Sequence, residues 1–184
     1  MNFSKKYLTE LSNKTYFIKD TLEKMLRLSR ILEFLNNDEF FKDKFALKGG
    51  TAINLTVVEL PRLSIDIDLD FVENCTKEEI ALIRPLINEN LTKYMIKEGY
   101  FQSAPLKEYY ALQSFMFGYI NNANNIDNIK IEINYIDRCH VLPLEHKKII
   151  CKWLNESFEI LTLNTIELYA SKINALLSRF APRD

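Results

Sequence analysis

The stretch RLSIDIDLDF, residues 62–71, places Ser64, Asp66, Asp68 and Asp70 at alternate positions with apolar residues between them. Alternation with a period of two indicates a β-strand, because successive side chains of a strand point to opposite faces. Aspartate is a poor strand former, and residues two apart on one strand lie only about 7 Å from each other. The row of carboxylates is therefore either a solvent-exposed acidic face or a cation site.

A divalent cation would relieve the repulsion between neighbouring carboxylates by taking oxygen ligands from both. Asp66 and Asp68 are the candidate pair, and magnesium is the first candidate ion. The apolar face of the same strand would hold both ligands on a rigid support, as metal-assisted phosphoryl chemistry requires. We expect the twist of the strand to carry Asp70 away from this site.

A double glycine precedes the acidic strand, in a chain that has only four glycines. The segment FALKGG, residues 45–50, predicts a short strand that enters a tight turn, and a helix follows with Thr51 as a possible N-cap. At such a turn, the backbone N–H groups of Gly49 and Gly50 can approach a phosphate, and the helix N-terminus favours negative charge. A tight turn without a ligand would also explain the two glycines.

The remaining pattern predicts an α+β fold with a small mixed or antiparallel sheet flanked by helices. Aromatic residues at 109–119 and the alternating segment IKIEINYI at 129–136 predict a β-hairpin around the polar turn NNANNIDN. We read VLPLEHKK, at 141–148, as a loop. Predicted helices cover residues 4–11, 14–36, 51–60 with Pro61 as the stop, 76–99 with a Thr76–Glu79 capping box and with Pro85 as a possible kink, and 165–179.

A third acidic candidate lies in the second strand of this predicted hairpin. Lys130, Glu132 and Asn134 share one face of that strand. Glu132 is suited to act as a base on an attacking hydroxyl or as a further metal ligand. The alternative is a solvent-facing glutamate on an edge strand.

Composition narrows the classes of function. The chain has 184 residues and a net charge of −1, so its overall charge indicates neither nucleic-acid nor membrane binding. Three cysteines at unmatched spacings argue against a disulfide framework, and the absence of a long apolar run or a signal-peptide core predicts a cytoplasmic protein. His140 and His146 have no cysteine at ligand spacing, so we expect surface residues there.

Two blocks resemble a known family. LKGGTAINL at 47–55, followed by RLSIDIDLDF, is similar to the signature of the AbiEii/AbiGii toxin group of nucleotidyltransferases, within the polymerase-beta-type superfamily. ELYASKINALLSRFAPRD at 167–184 is similar to a later motif of the group, a helical lysine before an Arg-Asp pair. The resemblance implies a glycine turn, a helix, an acid-pair strand and a third acid on a later strand.

The resemblance also implies roles for individual residues. The triphosphate would lie at the glycine turn and near the serine that precedes the acid pair, with the helical lysine neutralising phosphate charge. Asp66 and Asp68 would bind Mg²⁺ or Mn²⁺, with Glu132 as the third acid. Arg62 belongs to the signature without a clear role. The residues expected at the nucleotide are Lys48, Gly49, Gly50, Thr51, Ser64 and Lys172.

The implied function is transfer of a nucleoside monophosphate from an NTP to an acceptor hydroxyl by the toxin of a type IV toxin–antitoxin or abortive-infection system. Its acceptor would be tRNA, and its partner a separately encoded antitoxin. The alternatives are a small-molecule nucleotidyltransferase of the antibiotic-modifying type and a non-catalytic nucleotide- or protein-binding domain. We expect a catalytic core at residues 1–160 and the start of a helical region at 161–184 that is shorter than in the group.

Overall fold

The computed structural model describes residues 3–59, 62–150 and 158–178. These ranges form an α+β fold in which helices surround one mixed sheet, as the sequence predicts. The helices are α1 (Lys5–Thr15), α2 (Lys19–Asn37), α3 (Gly49–Thr56), α4 (Lys77–Lys97) and α5 (Thr165–Ser178). The strands are β1 (Phe45–Lys48), β2 (Ile67–Phe71), β3 (Phe101–Gln102), β4 (Lys107–Glu108), β5 (Leu112–Ile120), β6 (Ile126–Asn134), β7 (Glu145–Lys148) and β8 (Glu159–Thr162).

The acidic strand β2 lies in the interior of the sheet. The strand order is β3-β5-β6-β2-β1-β8-β7, and β4 pairs with β5 outside this path. β2 runs antiparallel to β1 and parallel to β6, with Asp68 opposite both Lys48 and Glu132. Because β6 also pairs with β5, Glu132 is not on an edge strand, and that alternative is wrong.

The N-terminal helices differ from the prediction in their boundary. The sequence predicts one helix from residue 14 to 36, whereas α1 continues to Thr15 and α2 begins at Lys19. Tyr16 takes a left-handed conformation with φ of 62° and ends α1. An aromatic residue rarely adopts this conformation, so the sequence carried no signal for the break. α2 then packs against α1 and β8 with an apolar face that is almost completely buried.

Helix α4 begins and ends close to the positions that its N-cap and its glycine predict. Thr76 caps it and forms the predicted capping box with Glu79. Gly99, with φ of 87°, follows its end. Pro85 lies inside the helix without dividing it. The β5–β6 hairpin is also confirmed, in antiparallel register from Leu112 opposite Asn134 to Ile120 opposite Ile126.

The loop predicted at residues 141–148 is wrong in its second half. Residues 145–148 form β7, which pairs antiparallel with β8. β8, which the sequence pattern did not predict, joins β1 in parallel through Leu47 and Thr162. Pro61, Arg179 and the Arg183-Asp184 pair lie outside the described residues. No helix in the described ranges is long and apolar enough to cross a membrane.

Candidate active site

An open cavity of about 370 Å³ lies over the centre of the sheet, and we call it the acidic cavity. Its lining includes Lys48 from β1, Asp68 from β2, and Glu132 and Asn134 from β6. These strands are adjacent, and the register sets Lys48 and Glu132 on either side of Asp68. The sheet therefore brings together two acids that are 64 positions apart in the sequence.

Asp66 lies one residue before β2 and is exposed. Its backbone carbonyl accepts a hydrogen bond of 2.5 Å from the hydroxyl of Thr51, a buried residue of α3. The N-cap of α3 is Lys48, so the prediction that Thr51 caps this helix is wrong. Because the hydroxyl is already engaged, Thr51 holds the acidic segment with its side chain and offers a phosphate only its backbone N–H.

The two glycines form the first turn of α3 against the acidic strand. Gly49 has φ of 71°, and a Cβ there would lie 2.7 Å from Asp68 Oδ2. At Gly50, a Cβ would lie 2.8 Å from Ser64 Oγ and 3.6 Å from Lys172 Nζ. The first N–H groups of a helix have no intrahelical acceptors, and no side chain caps α3. This turn therefore offers backbone donors to an anion beside Asp68.

Ser64 is held near this turn by Asn54, a residue that the sequence reading missed. The buried Asn54 side chain accepts a 2.8 Å hydrogen bond from Ser64 N and donates to the carbonyl of Arg62 at 3.2 Å. Asn54 follows Thr51 by three positions, so both side chains leave the same face of α3. In the sequence TAINL, the three-residue spacing of Thr51 and Asn54 was the signal that both side chains face the acidic segment. From the other side, α5 packs on α3 and brings Lys172 to the turn.

Negative charge accumulates at Asp68. Burial raises the pKa of its carboxyl, and the charges of Glu132 and Asp66 raise it further. Lys130 lies on the same face of β6 and donates to Glu132 Oε1 at 2.8 Å, which raises the pKa of the lysine. Lys130 and Lys48 partly offset the acidic charge. The site thus has carboxylates available together with compensating cations.

Asp70 does not line the acidic cavity. It is buried, with 2% of its surface exposed, and its Oδ1 lies 2.5 Å from the ammonium of Lys48. Burial raises its pKa, while the lysine opposes that shift. The residue pattern contained no signal for this ion pair. Lys48 therefore forms an ion pair with the acidic strand at Asp70 and also borders the cavity.

His140 is not the surface residue that the sequence reading predicts. Its side chain is about 10% exposed, and its Nδ1 lies 3.4 Å from Glu167 Oε2 in the first turn of α5. The other oxygen of Glu167 accepts from the N–H groups of Val141 and Leu142 at 2.6 and 3.0 Å. His140 and Glu167 fix the start of the helix that carries Lys172. His146 is about half exposed, as expected.

The carboxylates at this site suit a metal ion that shares its ligands with a substrate. Within residues 3–59, 62–150 and 158–178, no three or more Asp, Glu, His or Cys side chains are arranged to hold an ion by themselves. Mg²⁺ is commonly bound by one or two carboxylates together with substrate phosphates and water. Asp66 and Asp68, with an anion-binding turn beside them, fit this shared type of site rather than an all-protein cage.

Comparison with protein families matches residues 30–184 to the model described as "Nucleotidyl transferase AbiEii toxin, Type IV TA system". The match covers most of the chain. The chain belongs to the AbiEii family. The resemblance noted in the two sequence blocks is thereby confirmed. No curated protein matches the chain.

Two solved structures resemble this AbiEii-family chain. JHP933 from Helicobacter pylori superimposes with a TM-score of 0.60 at 18% identity, over 91% of this chain and 62% of JHP933. The chain therefore spans less than two thirds of that protein's length. TM1012 from Thermotoga maritima, proposed to be a nucleotidyltransferase, gives a TM-score of 0.41 at 16% identity, over 83% of this chain and 84% of TM1012. The likeness to JHP933 supports the shared fold.

Proposed function

We propose that this AbiEii-family chain is a metal-dependent nucleotidyltransferase that moves a nucleoside monophosphate from an NTP to an acceptor hydroxyl. The single observation that carries the proposal is the contact between the glycine turn and the acidic strand. A Cβ at Gly49 would lie 2.7 Å from Asp68 Oδ2, so an anion at the turn would be adjacent to the carboxylate. A phosphate-binding turn and a cation site serve one substrate only if they adjoin in this way.

The triphosphate would bind at the N-terminus of α3. The N–H groups of Gly49, Gly50 and Thr51 offer donors, Ser64 Oγ lies beside Gly50, and Lys172 brings positive charge. Asp66 and Asp68 would hold Mg²⁺ or Mn²⁺, which when bound neutralises phosphate charge and activates the α-phosphate for attack. Lys48 would act indirectly, by holding Asp70 and bordering the cavity.

Glu132 is suited to receive the proton of the acceptor hydroxyl. It lies opposite Asp68 on β6 and lines the acidic cavity. During transfer, the acceptor oxygen bonds to the α-phosphorus, the bond from that phosphorus to the pyrophosphate oxygen breaks, and the hydroxyl proton passes to the carboxylate. Glu132 Oε1 is paired with Lys130 at 2.8 Å, so the proton would pass to the other carboxylate oxygen.

Family membership supports a role as the toxin of a type IV toxin–antitoxin system, with a separately encoded antitoxin as partner. For the acceptor we propose tRNA, whose 3′ end presents a free hydroxyl, and for the site of action the cytoplasm, which holds both NTPs and tRNA. A second candidate is a domain that binds nucleotide without transferring it. The Lys130–Glu132 ion pair favours that candidate, because it engages the proposed base.

Transfer of radiolabel from each α-labelled NTP to total tRNA, compared with a panel of small hydroxyl compounds, tests the proposal. Asp66→Ala should abolish transfer and leave the folded far-UV CD spectrum intact, because the Asp66 side chain is exposed and its carbonyl keeps the Thr51 hydrogen bond. Asp20→Ala, an exposed acid in the first turn of α2, is the matched control. Undiminished transfer by the Asp66 variant would refute the assignment. Label on small compounds alone would exclude a tRNA acceptor.

A further inference from the structure

A second open cavity, of about 350 Å³, adjoins the acidic cavity. We call it the Tyr110 cavity. Ile136 lines both cavities, so they share a wall. Its volume falls in the range of small-ligand sites. The side chains that matter for its chemistry are Lys77 and Arg84 from α4, Tyr110 before β5, and Tyr135, Ile136 and Arg138 after β6.

Three positive charges surround the Tyr110 cavity, and their partners are neutral. Arg84 donates to the carbonyls of Tyr109 and Tyr110 at 2.9 and 3.2 Å. Arg138 donates to a backbone carbonyl, and its Nε is buried without a hydrogen-bond partner. In the described part of the chain, neither arginine nor Lys77 forms an ion pair with a carboxylate. Carbonyls do not neutralise these charges, so the cavity favours an anion.

Aromatic rings lie beside the same cations. The Arg84 guanidinium carbon is 4.6 Å from the centroid of Tyr135, and Lys77 Nζ is 5.4 Å from the centroid of Tyr110. Tyr110 is 72% exposed, so its ring remains accessible to a ligand. Proteins that bind single-stranded nucleic acids use aromatic rings to stack on the bases and positive charges to hold the phosphates.

The Tyr110 cavity lies on the side from which an acceptor would attack. β2 has β1 on one side and β6 on the other. The glycine turn follows β1, whereas Glu132 and the wall shared through Ile136 belong to β6 and the residues after it. In-line transfer needs the attacking hydroxyl opposite the leaving pyrophosphate. With the pyrophosphate at the glycine turn, the acceptor would therefore approach from the β6 side.

We propose that the Tyr110 cavity binds one unpaired nucleotide of a nucleic-acid acceptor, with the base on Tyr110 and the phosphate near Lys77 and Arg138. This inference rests on the proposed transferase function and adds the place where the acceptor is held. A paired nucleotide cannot offer its base face for stacking, so the cavity selects a single-stranded end.

Binding of a fluorescein-labelled eight-nucleotide single-stranded RNA, followed by anisotropy without NTP, tests the inference independently of turnover. The double variant Lys77→Ser/Tyr110→Ala changes two exposed lining residues and should weaken binding by about 5- to 160-fold, the range expected for the loss of one stacked base. Lys97→Ser/Tyr109→Ala, an exposed lysine and tyrosine outside the cavity, should bind as the wild type. Lys77→Ser alone should lower the slope of log affinity against log salt by about 0.7.

Equal losses in the two double variants, or no loss in either, would overturn the assignment of the cavity. Equal affinity for the same RNA closed into a hairpin would overturn the single-strand preference. A raised KM for NTP with unchanged RNA affinity would place the NTP base in the cavity and overturn the proposal. The Asp66→Ala variant should bind the RNA normally. If no protein transfers nucleotide but RNA binding depends on the cavity, the transferase function fails and the binding site stands.

Discussion

Replacing Gly49 with alanine probes the contact between the glycine turn and the acidic strand, and Gly99 provides a matched control. Both glycines have a positive φ, 71° at Gly49 and 87° at Gly99. A Cβ at Gly99 would meet no atom within 4 Å, whereas a Cβ at Gly49 would lie 2.7 Å from Asp68 Oδ2. The two alanine variants therefore share the backbone strain and differ in the displacement of Asp68.

The expected magnitudes follow from this difference. A left-handed alanine costs about 1–2 kcal/mol, and the reduced entropy of the unfolded chain returns about 0.4–1 kcal/mol. Both variants should thus lose about 1 kcal/mol in free energy of unfolding. To reach ordinary van der Waals contact with the new methyl group, which begins at 3.4 Å, the Asp68 carboxylate must also move by about 0.7 Å. Misplacement on this scale costs roughly 100-fold in rate, so Gly49→Ala should lose about that factor in kcat/KM.

Urea unfolding followed by CD gives the stabilities, and transfer of α-labelled nucleotide gives the rates. Gly99→Ala should keep kcat/KM within about twofold of the wild type, because no site residue moves. Equal transfer of nucleotide by Gly49→Ala and Gly99→Ala would show that the position of Asp68 does not limit the reaction. A loss of several kcal/mol in Gly49→Ala alone would mean that the chain cannot accommodate the methyl group by moving Asp68.

Two further substitutions test the support of the site. Lys48→Met leaves Asp70 buried without its cation and should lower the free energy of unfolding by about 2–4 kcal/mol in urea titrations. The double variant Lys48→Met/Asp70→Asn should recover at least half of that loss. An absence of recovery would show that the ion pair is not what stabilises the strand. Asn54→Ala removes the hydrogen-bond acceptor for Ser64 N. It should raise the KM for NTP by about fivefold or more, with a smaller change in kcat. An unchanged KM would argue against a role of Ser64 at the triphosphate.

Elements with strong local signals were predictable from the sequence. The capping box of Thr76 and Glu79 and the glycine after Lys97 delimit α4 almost to the residue. Alternation located β2 and β6, and with them Asp68 and Glu132, the two acids that the strands contribute to the cavity. These features depend on residues a few positions apart, for which helical and strand periodicity carries the information.

Features that depend on distant partners were not predictable. β7 and β8 are four residues each, too short for periodicity to distinguish them from loop, and they exist because they pair with each other and with β1. The sequence around His140 is typical of a loop, and only the fold shows that this histidine is mostly buried against Glu167 of α5. The cations of the Tyr110 cavity come from two segments more than 50 positions apart, and only the tertiary fold brings them to one place.

Because β2 pairs in parallel with β6, the residues of the candidate active site come from two separate stretches of the chain. The glycine turn, Ser64 and the acid pair all lie between β1 and the end of β2, whereas Glu132 is supplied across the sheet by a connection that runs from residue 72 to 125. That connection carries Lys77, Arg84 and Tyr110. Substitutions there would reshape the proposed acceptor surface without altering the glycine turn, Ser64 or the acid pair, where the triphosphate is proposed to bind. In the proposed transferase, the two specificities could consequently diverge independently, with one nucleotide donor retained while the acceptor changes.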